Sequence, residues 1–258
     1  MKSLKPILLC LICILLNFNQ GSAQSDDLNV KIGKYLFKTK FDQKEFTTTL
    51  NISRDGKKIF EETYYDIIPE IKSMDLDNDG RNEILIGRYS GGAHCCTSLY
   101  AGRFRSGKFT YTDSVYWGNS FYRFEDLKSD GKQEIVGVND VYAYVFTNFA
   151  QSRFPVLIYA YENNKFVNVT SEFPAQVEES LNGFKNELEE YKGFKCADAG
   201  EETFNTDAGA VKAILAAMTE DYKSLGKTDE GYKLIDEFYT CPDRDSFIKQ
   251  LRNDFLLK

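Results

Sequence analysis

Alternating acidic residues are the clearest chemical signal in the sequence. Aspartates stand at positions 75, 77 and 79, Gly80 follows them, and a glutamate closes the run at position 83. Calcium is a hard cation that takes about six to eight oxygen ligands in flexible geometry, whereas magnesium demands a strict octahedron. Because four acids so close together repel one another, the spacing predicts a Ca²⁺ site rather than an acidic surface turn. The predicted ligands are Asp75, Asp77, Asp79, Glu83 and the main-chain carbonyl of Arg81.

The same pattern recurs in altered form at residues 126–134. Three of its acids and its glycine are kept, but Lys128 stands where the second acid is expected. An ammonium group at this position repels a cation. We therefore expect a loop of the same shape that binds no metal, in which Lys128 lies among the three acids as an internal counter-charge. These acids are Asp126, Asp130 and Glu134.

Residues 94–96 form a second candidate site. They combine His94, the single histidine of the chain, with Cys95 and Cys96. Imidazole and thiolate ligands suit copper or zinc, and two thiols also suit redox chemistry. Three adjacent side chains do not easily reach one ion, however, and no second histidine completes a ligand set. A turn closed by a disulfide is therefore the favoured interpretation, and a redox or metal site is the alternative.

The amino terminus has the pattern of a signal peptide. Lys2 and Lys5 precede an apolar run over residues 7–18, and Gly21 and Ala23 supply the small residues of a cleavage site. The apolar run is shorter than the roughly 20 residues that span a bilayer. We therefore expect residues 1–23 to be removed on export, no membrane span after cleavage, and a periplasmic or extracellular location.

Export changes the interpretation of the six cysteines. Two of them, at positions 10 and 13, lie in the predicted signal peptide, which leaves four in an oxidising compartment. Four cysteines allow several connectivities. A bond between Cys196 and Cys241 within the C-terminal segment is favoured. Cys95 and Cys96 then bond to each other or remain thiols, and cross-links between the two pairs are the alternative.

Two kinds of sequence pattern divide the mature chain. Between residue 28 and about residue 170, short β-branched and aromatic runs, including residues 141–146, alternate with Asp-Gly and Ser-Gly turns, which predicts strands. After Pro174, apolar residues recur at helical spacing, and further helices are expected at residues 207–225, after Thr228 as N-cap, and from Asp243 onward. We therefore predict an α+β protein with a β-rich domain at residues 24–172 and a helical C-terminal subdomain at residues 173–258.

Charge and composition exclude several classes of function. The 258-residue chain has a formal net charge of -7 and no basic stripe, so nucleic acid is not an expected partner. A single histidine and the lack of phosphate-loop, nucleophile-elbow and dinucleotide motifs leave no recognisable catalytic set. Aromatic residues make up 14% of the chain and mostly pack sheet faces, but a sugar-binding platform is an alternative use.

Residues 75–83, the altered copy at residues 126–134 and the strands after them resemble the calcium loops of FG-GAP and VCBS repeat proteins, which include the integrin-type propeller repeats. The resemblance implies calcium ligation by the acids at positions 75, 77, 79 and 83, and antiparallel units like propeller blades. At a period of about 50 residues the β-rich half holds fewer than three such units, too few for a closed propeller. Residues 90–97 are similar to a segment of exported bacterial VCBS-type proteins of unknown role.

Together these features predict an exported, calcium-binding, non-enzymatic β module that binds a protein or a glycan. The alternative is a periplasmic redox or metal-dependent protein centred on His94, Cys95 and Cys96. Calcium is the one cofactor that the sequence predicts.

Overall fold

The computed structural model describes residues 27–92 and 95–257. The predicted signal peptide, residues 1–23, and His94 both lie outside these described residues. Within them, strands occupy the first part of the chain and the long helices occupy the last part. The predicted α+β class is confirmed.

Three four-stranded antiparallel sheets make up the β-rich region, and each is a meander of strands consecutive in sequence. The first sheet contains β1 (Asn29–Ile32), β2 (Tyr35–Asp42), β3 (Thr47–Arg54) and β4 (Lys57–Tyr64). The second sheet contains β5 (Ile67–Met74), β6 (Glu83–Gly92), β7 (Cys95–Arg105) and β8 (Lys108–Gly118). The third sheet contains β9 (Arg123–Glu125), β10 (Glu134–Val138), β11 (Val156–Glu162) and β12 (Lys165–Asn168).

This sheet count corrects the expectation of fewer than three four-stranded units. The third sheet fits into the available length because its strands are only 3 to 7 residues long. None of the three sheets in the described chain closes into a barrel.

The predicted strand at residues 141–146 is wrong. A short 3-10 turn, Asp140–Tyr142, begins this segment, and turns follow it. Tyr142 and Phe146 are buried against the C-terminal helices. Aromatic and β-branched residues pack well on any half-buried surface, whether it belongs to a sheet or to helices. In this segment they pack against the helices.

Two apolar cores join the sheets. Ile84 and Ile86 of β6 face the first sheet, where they pack near Phe37 and Leu50, while Leu85 belongs to the core shared with the third sheet. Successive strand side chains point to opposite faces, so a strand buried on both sides needs a continuous apolar run. The central position of β6 therefore explains the uninterrupted apolar run that follows Glu83.

Four helices follow the sheets: α1 (Pro174–Glu190), α2 (Asp207–Ser224), α3 (Thr228–Phe238) and α4 (Arg244–Asp254). Val177, Leu181 and Leu188 form the buried face of α1, at the spacing seen in the sequence. The predicted N-cap role of Thr228 is wrong, because this residue is already helical and Lys227 precedes it. No helix in the described part of the chain has both the length and the apolar character needed to cross a membrane.

Asp221 on α2 is a buried carboxylate that connects three elements. Its side chain is fully buried and accepts hydrogen bonds from the Ser180 hydroxyl of α1 (2.6 Å) and the Val156 N–H of β11 (3.2 Å). Burial raises the pKa of Asp221 to about 7, because a low-dielectric environment disfavours the charged form. The helical core therefore contains an acid that ionises near neutral pH.

Candidate functional site

The acidic loop lies between β5 and β6, and its own side chains hold it in shape. The Asp75 carboxylate accepts hydrogen bonds from the N–H groups of Asp79 (3.1 Å) and Gly80 (2.8 Å). Asn78 and Gly80 have positive φ angles of 56° and 80°, which glycine adopts freely and asparagine tolerates. Local hydrogen bonds within five residues therefore determine the turn.

Glu83 anchors the loop to the second sheet. It is the first residue of β6, is fully buried, and accepts a hydrogen bond from the Leu76 N–H at 3.0 Å. Burial raises the pKa of Glu83, while the hydrogen bonds from Leu76 and Arg103 oppose that effect. Such a buried carboxylate requires a nearby positive charge or a proton.

Arg103 on β7 supplies a positive charge that the sequence analysis missed. Its guanidinium Nε donates to Glu83 Oε1 at 2.8 Å, and Nη2 lies 3.4 Å from Asp77 Oδ2 and 3.6 Å from Asp79 Oδ2. In the β6–β7 pairing, Ile84 lies opposite Gly102, which places Arg103 beside Glu83. Only this cross-strand register reveals the contact, because the two residues are far apart in the sequence.

Three of the predicted calcium ligands converge. Oxygens of Asp75, Asp77 and Glu83 lie within 4.8 Å of one another. Asp77 Oδ1 is buried and has no hydrogen-bond partner among the residues that the structure describes. A buried carboxylate oxygen without a partner is costly, and a cation is one group that would satisfy it.

Asp79 has a different role from these three residues. Its carboxylate binds Arg81, accepting from the guanidinium Nη2 at 2.7 Å and from the Arg81 N–H at 2.9 Å. These hydrogen bonds lower the pKa of Asp79. Asp79 therefore lies outside the group of converging oxygens, although it remains on the same loop.

The second loop, between β9 and β10, repeats the hydrogen-bond pattern of the first. Asp126 accepts from the N–H groups of Asp130 (3.0 Å) and Gly131 (2.9 Å), and Glu134 accepts from the Leu127 N–H (2.9 Å). The two loops also touch, because the Asn78 side-chain amide donates to the Asp130 carbonyl at 3.1 Å. The repeat seen in the sequence therefore corresponds to two similar loops packed side by side.

The expected position of Lys128 needs correction. Its Nζ pairs with Glu172 at 2.7 Å and lies 4.8 Å from the centre of the Phe173 ring, so its direct partner is Glu172, while Asp130 and Glu134 of the loop attract it only at longer range. The chain beyond β12 brings Glu172 next to the loop, and a carboxylate there attracts the ammonium group. Lys128 thus connects the second loop to the start of the helical region.

Cysteines pair within two separate regions. Cys196, after α1, is bonded to Cys241, between α3 and α4, with the Cα atoms 5.4 Å apart. This is the pairing that the sequence favours. Cys95 is bonded to its neighbour Cys96, one of the arrangements that the sequence left open.

The two disulfides differ greatly in how much they constrain the unfolded chain. Cys196 and Cys241 are separated by 45 positions, and chain entropy then gives a stabilisation of about 4 kcal/mol. Cys95 and Cys96 are adjacent, and the same relation gives only about 1 kcal/mol. The first bond stabilises the fold, whereas stability alone does not explain the second.

Comparisons with known proteins give one relative. A probable thylakoid lumen protein of Synechocystis sp. is 28% identical over 181 residues, which cover 69% of this chain and 48% of that protein. The chain thus matches about half the length of this relative. No family model and no solved structure matches the chain.

Proposed function

We propose that this chain is an exported, calcium-stabilised, non-enzymatic β module that binds a partner. The observation that carries the proposal is the buried Oδ1 of Asp77, which has no hydrogen-bond partner within residues 27–92 and 95–257 and lies beside the carboxylates of Asp75 and Glu83. Carboxylate oxygens are the ligands that Ca²⁺ prefers. These three residues would hold the ion, with the Arg81 carbonyl as a further candidate ligand.

The charge of the first loop also supports a divalent cation. Its four acids carry −4, and Arg81 and Arg103 supply +2, which leaves −2. One Ca²⁺ ion would neutralise the remainder and reduce the repulsion among the acids. The ion would thereby stabilise the folded state, since it binds the assembled loop and not the unfolded chain.

The sheet arrangement supports a relationship to FG-GAP and VCBS repeats. Three consecutive four-stranded meanders have the strand number of propeller blades. In the second and third sheets, the Asp-Gly loop joins the first strand to the second. We therefore propose that these sheets are blade-like units of an open array.

An extracytoplasmic location has three independent supports. The sequence predicts a signal peptide at residues 1–23. Four cysteines form two disulfides, which persist in oxidising compartments. The relative in Synechocystis is described as a probable lumen protein, and a lumen is also separated from the cytoplasm.

Calcium should raise the melting temperature of the protein, and Asp77→Asn should abolish this effect. The expected stabilisation is about 2.7 kcal/mol when free calcium is about 100-fold above Kd. Asp77→Asn should fold normally without calcium, because the one hydrogen bond that the Asp77 side chain makes within the described residues is a long one, 3.4 Å from Arg103 Nη2. Thermal melting with calcium or with chelator, together with calorimetric titration, measures both effects.

Two variants of the second loop complete this experiment. Asp130→Asn removes one acid from a similar turn and should leave the calcium response unchanged. Lys128→Asp restores the missing acid and should add a second equivalent of bound calcium. An equal melting temperature with and without chelator in the wild-type protein would remove the calcium proposal.

The partner surface that we propose lies along the second sheet, where β5, β6 and β7 meet the segment before β9. A cavity of about 550 Å³ is found there, with Phe121 on its wall 85% exposed. Lys72 pairs with Glu70 and Arg88 with Asp66, so the charges in and around the wall balance. Mostly apolar cavities with a few polar groups are typical binding sites, and this one suits an uncharged ligand.

A neutral glycan is the ligand class that best fits this cavity, because a sugar offers apolar faces and uncharged hydroxyl groups. Binding should appear on an array of neutral glycans probed with the calcium-loaded protein, and Phe121→Ser should reduce it. Phe204, which is 38% exposed and lies on the helical side of the chain, provides a control as Phe204→Ser. An array without hits would end the glycan proposal and leave the calcium proposal intact.

A further inference from the structure

The disulfide between neighbours lies where a soluble reagent can reach it. Cys95 and Cys96 begin β7, and both are only partly buried. Cys95 pairs with Gly92 across the β6–β7 hairpin, at the end of the second sheet opposite the acidic loop. The bond is therefore accessible and separate from the candidate calcium ligands.

Stability does not account for this bond. It closes a ring between adjacent residues, so it removes very little freedom from the unfolded chain. Cys196–Cys241 is the bond that constrains a long segment. Accessible disulfides that contribute little to the fold are the ones that thiols exchange with most readily.

Tyr116 gives the two sulfur atoms different chemical environments. Its hydroxyl group donates to Cys96 Sγ at 2.7 Å and lies 3.4 Å from Cys95 Sγ. Tyr116 is on the neighbouring strand β8 and is 62% exposed, so packing in a core does not explain its position. A hydroxyl group that donates to sulfur stabilises the thiolate more than the neutral thiol.

Cys96 is held in place on its main-chain side as well. Its N–H donates to the Ser90 hydroxyl group at 2.5 Å, which connects the two strands of the hairpin. The position of Cys96 relative to Tyr116 is thus determined by contacts from both β6 and β8. The hydrogen bond to sulfur therefore does not depend on the disulfide alone.

We propose that Cys95–Cys96 is a thiol–disulfide exchange site that accepts two electrons from a dithiol. A thiolate of the donor attacks Cys95 Sγ, the S–S bond breaks, and its electron pair moves to Cys96 Sγ. The Tyr116 hydroxyl group stabilises the Cys96 thiolate as it leaves, which favours attack on Cys95. Tyr116 therefore acts directly on the leaving sulfur atom in this scheme.

The second donor thiol then completes the exchange. It attacks the donor sulfur of the mixed disulfide and releases Cys95 as a thiolate. The donor becomes a disulfide, and the two protons that it loses convert Cys95 and Cys96 to thiols. Two electrons and two protons move from the donor to the protein, so the reaction balances.

Dithiothreitol acting on the folded, full-length protein tests this proposal. Thiols that appear are tagged and located by mass spectrometry. Cys95 and Cys96 should become reactive while Cys196 and Cys241 stay bonded, and the melting temperature should change little. Joint appearance of all four thiols, only under denaturing conditions, would overturn the proposal.

Tyr116→Phe tests the stabilisation of the leaving thiolate by Tyr116. Removal of the hydroxyl group should slow reduction of Cys95–Cys96 about tenfold, the size expected for a lost hydrogen bond to a charged group. Tyr65→Phe alters another exposed tyrosine and should leave the rate unchanged. Equal reduction rates in Tyr116→Phe and the wild-type protein would refute the role of Tyr116.

A monothiol identifies the sulfur that is attacked. Reduced glutathione provides one thiol, so the mixed disulfide accumulates and can be trapped by alkylation. The expected product carries glutathione on Cys95 and the alkyl group on Cys96. Glutathione on Cys96 would contradict the assigned order of attack.

Discussion

Arg103→Met should lower the free energy of unfolding by about 3–5 kcal/mol, the usual cost of removing one partner from a buried ion pair. Glu83 is fully buried, and the Arg103 guanidinium is its cationic partner. Without Arg103, the Glu83 carboxylate would be buried without a positive charge and would tend to take up a proton. The loss should therefore be smaller in acid than at neutral pH. Urea unfolding in the presence of chelator measures the effect.

Two further variants show whether burial causes this effect. Arg123→Met removes an exposed ion pair with Glu125 and should change the stability by less than about 1 kcal/mol. Glu83→Gln combined with Arg103→Met should recover part of the loss, because neither of the two positions then carries a charge. A similar small loss for Arg103→Met and Arg123→Met would contradict the counter-charge role of Arg103.

The calcium response of the same variants connects this prediction to the proposed function. In Arg103→Met, a positive charge beside the predicted ligands has been removed. Calcium should then bind more tightly and stabilise the variant more than it stabilises the wild-type protein. The Arg103 guanidinium and Ca²⁺ would thus both neutralise the same group of acids.

Asp221→Asn should remove a pH dependence of up to about 4 kcal/mol from the free energy of unfolding. Burial raises the pKa of Asp221 from 3.8 to about 7. Between these values the folded protein holds a proton that the unfolded chain has lost, so stability falls as the pH rises from about 4 to about 7. Above pH 7 the full cost of the buried charge remains. Urea unfolding at a series of pH values gives the two curves.

The difference between the wild-type and Asp221→Asn curves isolates the titration of Asp221, because all other groups titrate in both proteins. The two proteins should have similar free energies of unfolding near pH 4, and Asp221→Asn should be more stable than the wild type near pH 8. In Asp221→Asn, the side-chain oxygen can still accept from the Val156 N–H, and the side-chain NH₂ group can donate to the Ser180 hydroxyl group. A hydrogen bond to each partner is therefore retained. Asp245→Asn, at a side chain that is 87% exposed, should follow the wild-type curve. Parallel curves for the wild type and Asp221→Asn would contradict the predicted titration.

The α+β class and the positions of most elements follow from the sequence, because their signals are local. The apolar spacing after Pro174 specifies one face of α1. The apolar run after Glu83 indicates a strand, but not that both of its faces are buried. Residues 141–146 show the limit of such reasoning, because β-branched and aromatic residues fit a helical core as well as a sheet.

The candidate sites also combine features that the sequence predicts with features that only the structure shows. In the first loop, Asp75 accepts hydrogen bonds from Asp79 and Gly80, and Asp126 accepts the equivalent bonds in the second loop. Each bond joins residues at most five positions apart, so the sequence of the loop favours its shape. The site predicted at residues 94–96 is described only for its two cysteines. Their bond to each other was one of several alternatives, and the contact with Tyr116 was not foreseen.

The sequence by itself determined the acidic turn, its repeated form and the helical C-terminal part, because hydrogen bonds and apolar periodicity act over a few residues. Only the tertiary structure determined which charged side chains contact one another and which are buried. Arg103 reaches Glu83 through the register of two strands, Lys128 reaches Glu172 through the path of the chain after β12, and Asp221 is buried by packing of α1 and β11. These contacts join distant parts of the chain, and their energies depend on burial, which no local pattern encodes.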